Sequence, residues 1–129
     1  MSYTVTVRKE PDYLHVEAAG IRSRDTVLSL ARDCIAACKE NGHRRLLVDV
    51  QRMTGRLPTI EIYELATKDF PRLRQNLALR LVIIDRDDNR DRAQFLEDVA
   101  VNQGVDLRVF SNTERALEWL LAPRDSSST

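Results

Sequence analysis

Two carboxylates stand where acid–base chemistry would want them. Asp49 follows the apolar run Leu46-Leu47-Val48, and Asp85 follows Leu81–Ile84. Held side by side at the ends of neighbouring strands, such a pair would split its proton affinities, one group serving as acid and the other as base. The commoner use of a strand-end Asp is to bond the backbone of the loop that follows. The same loops carry Arg52, Arg56, Arg86, Arg90 and Arg92, with the hydroxyls of Thr54, Thr59 and Ser111 nearby. Guanidinium groups beside helix N-termini suit a carboxylate or phosphate, although no glycine-rich cradle accompanies them.

Other reactive arrangements are thinner. His15 and His43 are the two histidines, and neither comes with a nucleophile motif of the G-x-S-x-G kind. His15 falls on the strand face opposite Leu14 and reads as solvent-facing. The charged segment from Asp85 spaces oxygen ligands like a calcium loop, but Arg90 or Arg92 takes the position where that loop needs glycine. Cys34 and Cys38 lie one helical turn apart with no further ligands to complete a tetrahedral set, so they read as reduced, inert core residues. These residues imply no catalytic set, no metal and no cofactor.

The elements that must position them follow from hydrophobic period. Tyr3, Val5 and Val7 alternate with polar residues, Glu10-Pro11-Asp12 supplies turn chemistry, and Leu14, Val16 and Ala18 resume the alternation. Residues 2–18 therefore read as an antiparallel hairpin closed by Gly20. Ser23 caps a helix over Arg24–Asn41, whose apolar stripe includes Val27, Leu30, Cys34 and Cys38, and Gly42 ends it. Leu46–Val50 suits a strand covered on both faces. A second helix starts near Pro58, turns Ile62, Leu65 and Ala66 inward, and is stopped by Pro71.

Leu79–Ile84 reads as another covered strand, followed by a helix with Phe95, Leu96, Val99 and Ala100 on one side and Gly104 at its end. Leu107–Phe110 is the last strand. Ser111 and Glu114 form a capping box for a final helix that turns Ala116, Leu117, Leu120 and Leu121 inward. The order is ββαβαβαβα. Strands separated by helices run parallel through right-handed crossovers. The expected fold is α/β, a mixed, mostly parallel five-stranded sheet with four helices, in one domain over residues 1–122. Residues 123–129 read as a polar, disordered tail.

Composition agrees and narrows the class. With 129 residues, 43% apolar and 31% charged, the chain is sized and patterned for a single globular domain. Twenty Lys+Arg balance twenty Asp+Glu, which argues against a nucleic-acid partner or an anionic membrane surface. No apolar run approaches the roughly 20 residues of a membrane span, and the polar start is no signal peptide. A cytoplasmic location is expected. The exposed edge of the hairpin suggests a homodimer.

Two stretches carry a family resemblance. LLVDVQRMTGRLPTIEIYELA (Leu46–Ala66) and FLEDVAVNQGVDLRVFSNTERALEWL (Phe95–Leu120) resemble the SpoIIAA-like family of the STAS-like superfamily. The resemblance implies a non-enzymatic regulatory or binding module. It would engage a partner protein, or a small apolar or anionic ligand, at the loop and helix-N-terminal edge of the sheet. A lipid is included, since the wider group also resembles lipid-carrying Sec14-type folds. Sporulation-type members switch partners through a phosphorylated serine at the start of the helix after the Asp-ended strand. That position falls at Pro58–Thr59, where Leu57-Pro58-Thr59-Ile60 replaces the usual Asp-Ser-Ser-Gly run, so Thr59 is the phosphorylation candidate. The binding candidates are Asp49, Arg52, Thr54, Arg56, Thr59, Asp85, Arg86, Arg92 and Ser111. The competing expectation is a small hydrolase-like enzyme using Asp49 and Asp85.

Overall fold

A computed structural model describes residues 3–75 and 77–123. Five strands form one sheet in sequential order: β1 (Tyr3–Lys9), β2 (Leu14–Ile21), β3 (Arg45–Thr54), β4 (Arg80–Ile84) and β5 (Asp106–Phe110). β1 pairs antiparallel with β2, and every later pairing is parallel. The expected mixed sheet is the one observed.

Its topology dictates where the helices lie. Because the strand order never reverses, each right-handed crossover steps the same way, and all three connecting helical segments fall on one face. These are α1 (Arg24–Asn41), a broken helix made of α2 (Thr59–Glu64) and α3 (Phe70–Arg74), and α4 (Arg90–Asn102). Beneath them sit Val16, Val48, Val50 and Met53 with Leu30 and Cys34 of α1, and a second cluster joins Leu57, Ile62 and Leu65 to Leu96. Among the described residues, only α5 (Thr113–Leu121) crosses the other face, where Ala116 and Leu120 pack on Leu47, Val82 and Ile84.

Local chemistry accounts for the helix ends. Ser23 accepts from the Thr26 backbone N–H while the Thr26 hydroxyl accepts from the Ser23 N–H, a reciprocal cap. Gly42 terminates α1 at φ 72°, a left-handed conformation that a side chain would strain. Arg80, an apparent interruption of β4, holds the end of α5. Its guanidinium lies 3.8 Å from the centre of the Trp119 ring and donates to the Trp119 carbonyl at 2.6 Å, a cation placed at a helix C-terminus.

Several expectations are corrected. Pro71 does not stop the second helix. The helix passes through a π-helical turn, Leu65–Asp69, in which Phe70 N–H donates to the Leu65 carbonyl, and Pro71 then sits in the first turn of α3 where its missing N–H costs nothing. β2 runs through Gly20 to Ile21, and β3 runs on to Thr54, because Gly20 and Ile21 pair with Met53 and Thr54 beyond a register shift. Asp49 is consequently mid-strand. The cap of α5 is Asn112, whose side chain accepts from Arg115 N–H at 2.9 Å, in place of Ser111. Leu121 is 36% exposed, not inward. The polar tail lies, from residue 124 on, outside the described residues.

Candidate functional site

The carboxyl ends of β2, β3 and β4 meet at one buried side chain, Arg22. One of its terminal nitrogens donates to the carbonyls of Met53 at 3.1 Å and Gly55 at 2.8 Å. The other binds Asp85 at 2.7 Å. Asp85 in turn accepts from Arg86 N–H at 2.8 Å and from the Asn89 side-chain amide at 2.7 Å. Arg22 and Asp85 are both nearly inaccessible. A buried pair persists when its remaining hydrogen-bonding capacity is met, and here the strand-end carbonyls and the Asn89 amide meet it.

Asp49 is elsewhere. It pairs in register with Ile84, on the α5 face with Leu47, and its carboxylate accepts from Gln51 N–H and the Gln51 side-chain amide. Asp85, one residue past Ile84, faces the other way, toward the three-helix side. The pleat thus separates the two carboxylates, so they form no catalytic pair.

Four of the rim arginines, Arg56, Arg86, Arg90 and Arg92, are engaged within the chain. Arg56 binds the Asp88 carbonyl at 2.8 Å and the Asp91 carboxylate, and this bond to Arg56 is what chiefly lowers the Asp91 pKa. Arg86 reaches Asp88 at 3.2 Å, Arg90 stands 3.9 Å from Asp87, and Arg92 donates to the Leu57 carbonyl at 2.8 Å and to Asp91 at 3.0 Å. Thr54, Thr59 and Ser111 are exposed, as is Arg52. The anion-binding rim expected from the strand-end arginines is therefore a surface largely neutralised by its own aspartates.

Two features went unread in the sequence. His15 is buried, 8% exposed, with its ring 6.2 Å from that of Tyr13, which corrects its assignment to solvent. Its Nε2 lies 3.3 Å from a Glu17 oxygen, and one ligand atom each from His15, Glu17 and Asp49 fall within 4.8 Å of one another. The second is a cavity of about 190 Å³ between the sheet and the three-helix face, walled by residues such as Leu30, Val48, Ile62 and Leu65, with Arg22, Asp85 and Asn89 at a polar end. The sequence signal for the buried cluster was there: an arginine beside a helix cap, and Asn89 four residues after a strand-end Asp.

Cys34 and Cys38 are free and buried in the core, as expected. Burial pushes both thiols up, Cys38 from 9.0 to about 11. The folded protein thus holds these protons to higher pH than the unfolded chain, so stability falls as pH rises from about 9 towards 11. At pH 8 the native protein is expected to leave a chromogenic disulfide reagent unreacted over minutes, and guanidinium should release two thiols. Fast modification of the native state would contradict this burial.

No protein-family model matches the sequence, and no curated protein matches it. Solved structures do. An anti-sigma factor antagonist from Mycobacterium paratuberculosis superposes with a TM-score of 0.61 at 16% identity, over 92% of this chain and 94% of that one. A substituted RsbS from Moorella thermoacetica gives 0.56 at 17% identity, over 90% and 93%. The fold is SpoIIAA-like. A Shewanella loihica protein of the DUF3478 family, described as SpoIIAA-like, aligns over 92% and 93% at 16% identity with a TM-score of 0.49. In this SpoIIAA-like fold the broken α2–α3 helix follows the longest strand, which puts Thr59 at the first helical position after the β3 loop. No helix among the described residues is long and apolar enough to cross a membrane.

Proposed function

We propose that this SpoIIAA-like chain is a non-catalytic regulatory module that docks on a partner protein through the ends of β2 and β3 and the outer side of α2. The observation that carries this reading is an exposed apolar set at that edge: Ile21 is 59% exposed, Ile60 61% and Tyr63 48%. Ile21 ends β2 opposite Thr54, and Ile60 and Tyr63 stand on α2. Arg24 at the start of α1 ties the two regions together through Glu64 at 2.7 Å and Asp69 at 3.1 Å. Aromatic and aliphatic residues at the centre of a patch are typical anchors of protein interfaces. The neutralised arginine rim favours such an apolar contact over capture of a free anion.

The Mycobacterium neighbour is named for antagonising an anti-sigma factor, which is a role exerted on another protein; the likeness supports a module of this kind by fold alone. Thr59 adjoins Ile60 and is exposed. Phosphorylation there would add about −1.5 to −2 of charge beside the apolar anchors and release the partner.

The test is co-purification from host extract with quantitative mass spectrometry. A protein retained by the wild type should be lost with Ile60→Asp/Tyr63→Asp and reduced with Thr59→Glu, while Glu118→Gln, on the exposed side of α5, retains it. Because all these positions are exposed, melting temperatures should stay within a few degrees of the wild type. Equal retention by all variants would overturn the docking face.

A further inference from the structure

We propose that the cavity beneath α1, α2–α3 and α4 binds a compact, uncharged apolar molecule that donates one hydrogen bond to Asn89 Oδ1. This goes beyond the docking reading and does not depend on it. The volume of about 190 Å³ exceeds the roughly 150 Å³ known to accept benzene in an engineered apolar cavity of another protein. A ligand of bicyclic size therefore fits. The walls are apolar: Leu30, Cys34, Val48, Ile62, Leu65 and Leu96.

The polar end selects the head group. A carboxylate accepts and cannot donate, so the Asn89 nitrogen must face Asp85, as it does at 2.7 Å. That forces the amide oxygen to be the free end. Asn89 is 6% exposed, lines the cavity, and its Oδ1 is buried without a hydrogen-bond partner. A buried acceptor left unmatched carries its full desolvation cost, and a ligand N–H or O–H removes it. Arg74 and Arg92 also line the cavity, and Arg74 Nε is likewise buried without a partner; whatever acceptor faces Arg74, the group that reaches Asn89 Oδ1 must be a donor.

The experiment compares indole with benzofuran, two rings of the same shape in which an N–H donor is replaced by an oxygen acceptor. Calorimetry and protein-observed NMR titration on the full chain should show indole binding about tenfold tighter, the worth of one buried hydrogen bond. Ala31→Leu, which fills the cavity from α1, should weaken both ligands, and Asn89→Leu should abolish the preference. Should Asn89→Leu fail to fold, the ligand pair on the wild type together with Ala31→Leu still decides the matter. Equal affinities, no binding by either compound at millimolar concentration, or binding unaffected by Ala31→Leu would each overturn the proposal. Loss of partner docking in the preceding experiment would leave it standing.

Discussion

Asp85→Ala is expected to lower the unfolding free energy by about 3–5 kcal/mol, the usual cost of removing one partner from a buried ion pair. The substitution strands Arg22 among carbonyls with an uncompensated charge and frees the Asn89 amide that Asp85 had fixed. Urea unfolding would read the change as a lower midpoint at unchanged slope. A loss below about 1 kcal/mol would mean that the pair behaves as a solvated surface contact. Arg22→Met/Asp85→Leu should recover only part of the loss. Exchange of both ions for apolar side chains removes the stranded charge, but the Met53 and Gly55 carbonyls then lose the donor that holds them.

Leu120→Ala is expected to cost about 2–5 kcal/mol, whereas its neighbour Leu121→Ala should fall within about 0.5 kcal/mol of the wild type. Leu120 is fully buried against the sheet face that, among the described residues, α5 alone covers, so no second described helix lies there to close the gap its side chain leaves. Leu121 points outward. Thermal and denaturant melts of the two variants, run side by side, would check the assignment. Similar losses in both would mean that α5 is rotated from its described position.

How far the sequence could be read depended on the range of the forces involved. Element order and the sheet's mixed character followed from local periodicity, and α1 was bounded correctly because Ser23 and Gly42 act within one turn of their own positions. Pro71 was misread because the rule that proline ends helices assumes unbroken α-helical bonding, and the π-helical turn at Leu65–Asp69 re-registers that bonding first. Ser111 and Asn112 are both competent caps one residue apart, and backbone geometry chooses between them. Asp49 and Asp85 looked like a pair because both follow apolar runs. Register and pleat, which no local pattern encodes, send them to opposite faces. The buried Arg22–Asp85–Asn89 cluster has a related cause: Asp85 and Asn89 are near neighbours in sequence, but Arg22 is 63 residues from Asp85 and meets it only once β2, β3 and β4 are aligned.

The sequential strand order has a consequence for how the chain comes to be folded. Each strand after the first lies beside its immediate predecessor, so no pairing waits for a distant segment to arrive. Each parallel pairing still closes a helical crossover, from Leu14 to Leu46, Arg45 to Arg80 and Arg80 to Asp106, and separations of that length slow assembly relative to a helical bundle. On the ribosome the sheet can accrete strand by strand in the order of synthesis, with α5 sealing the reverse side last.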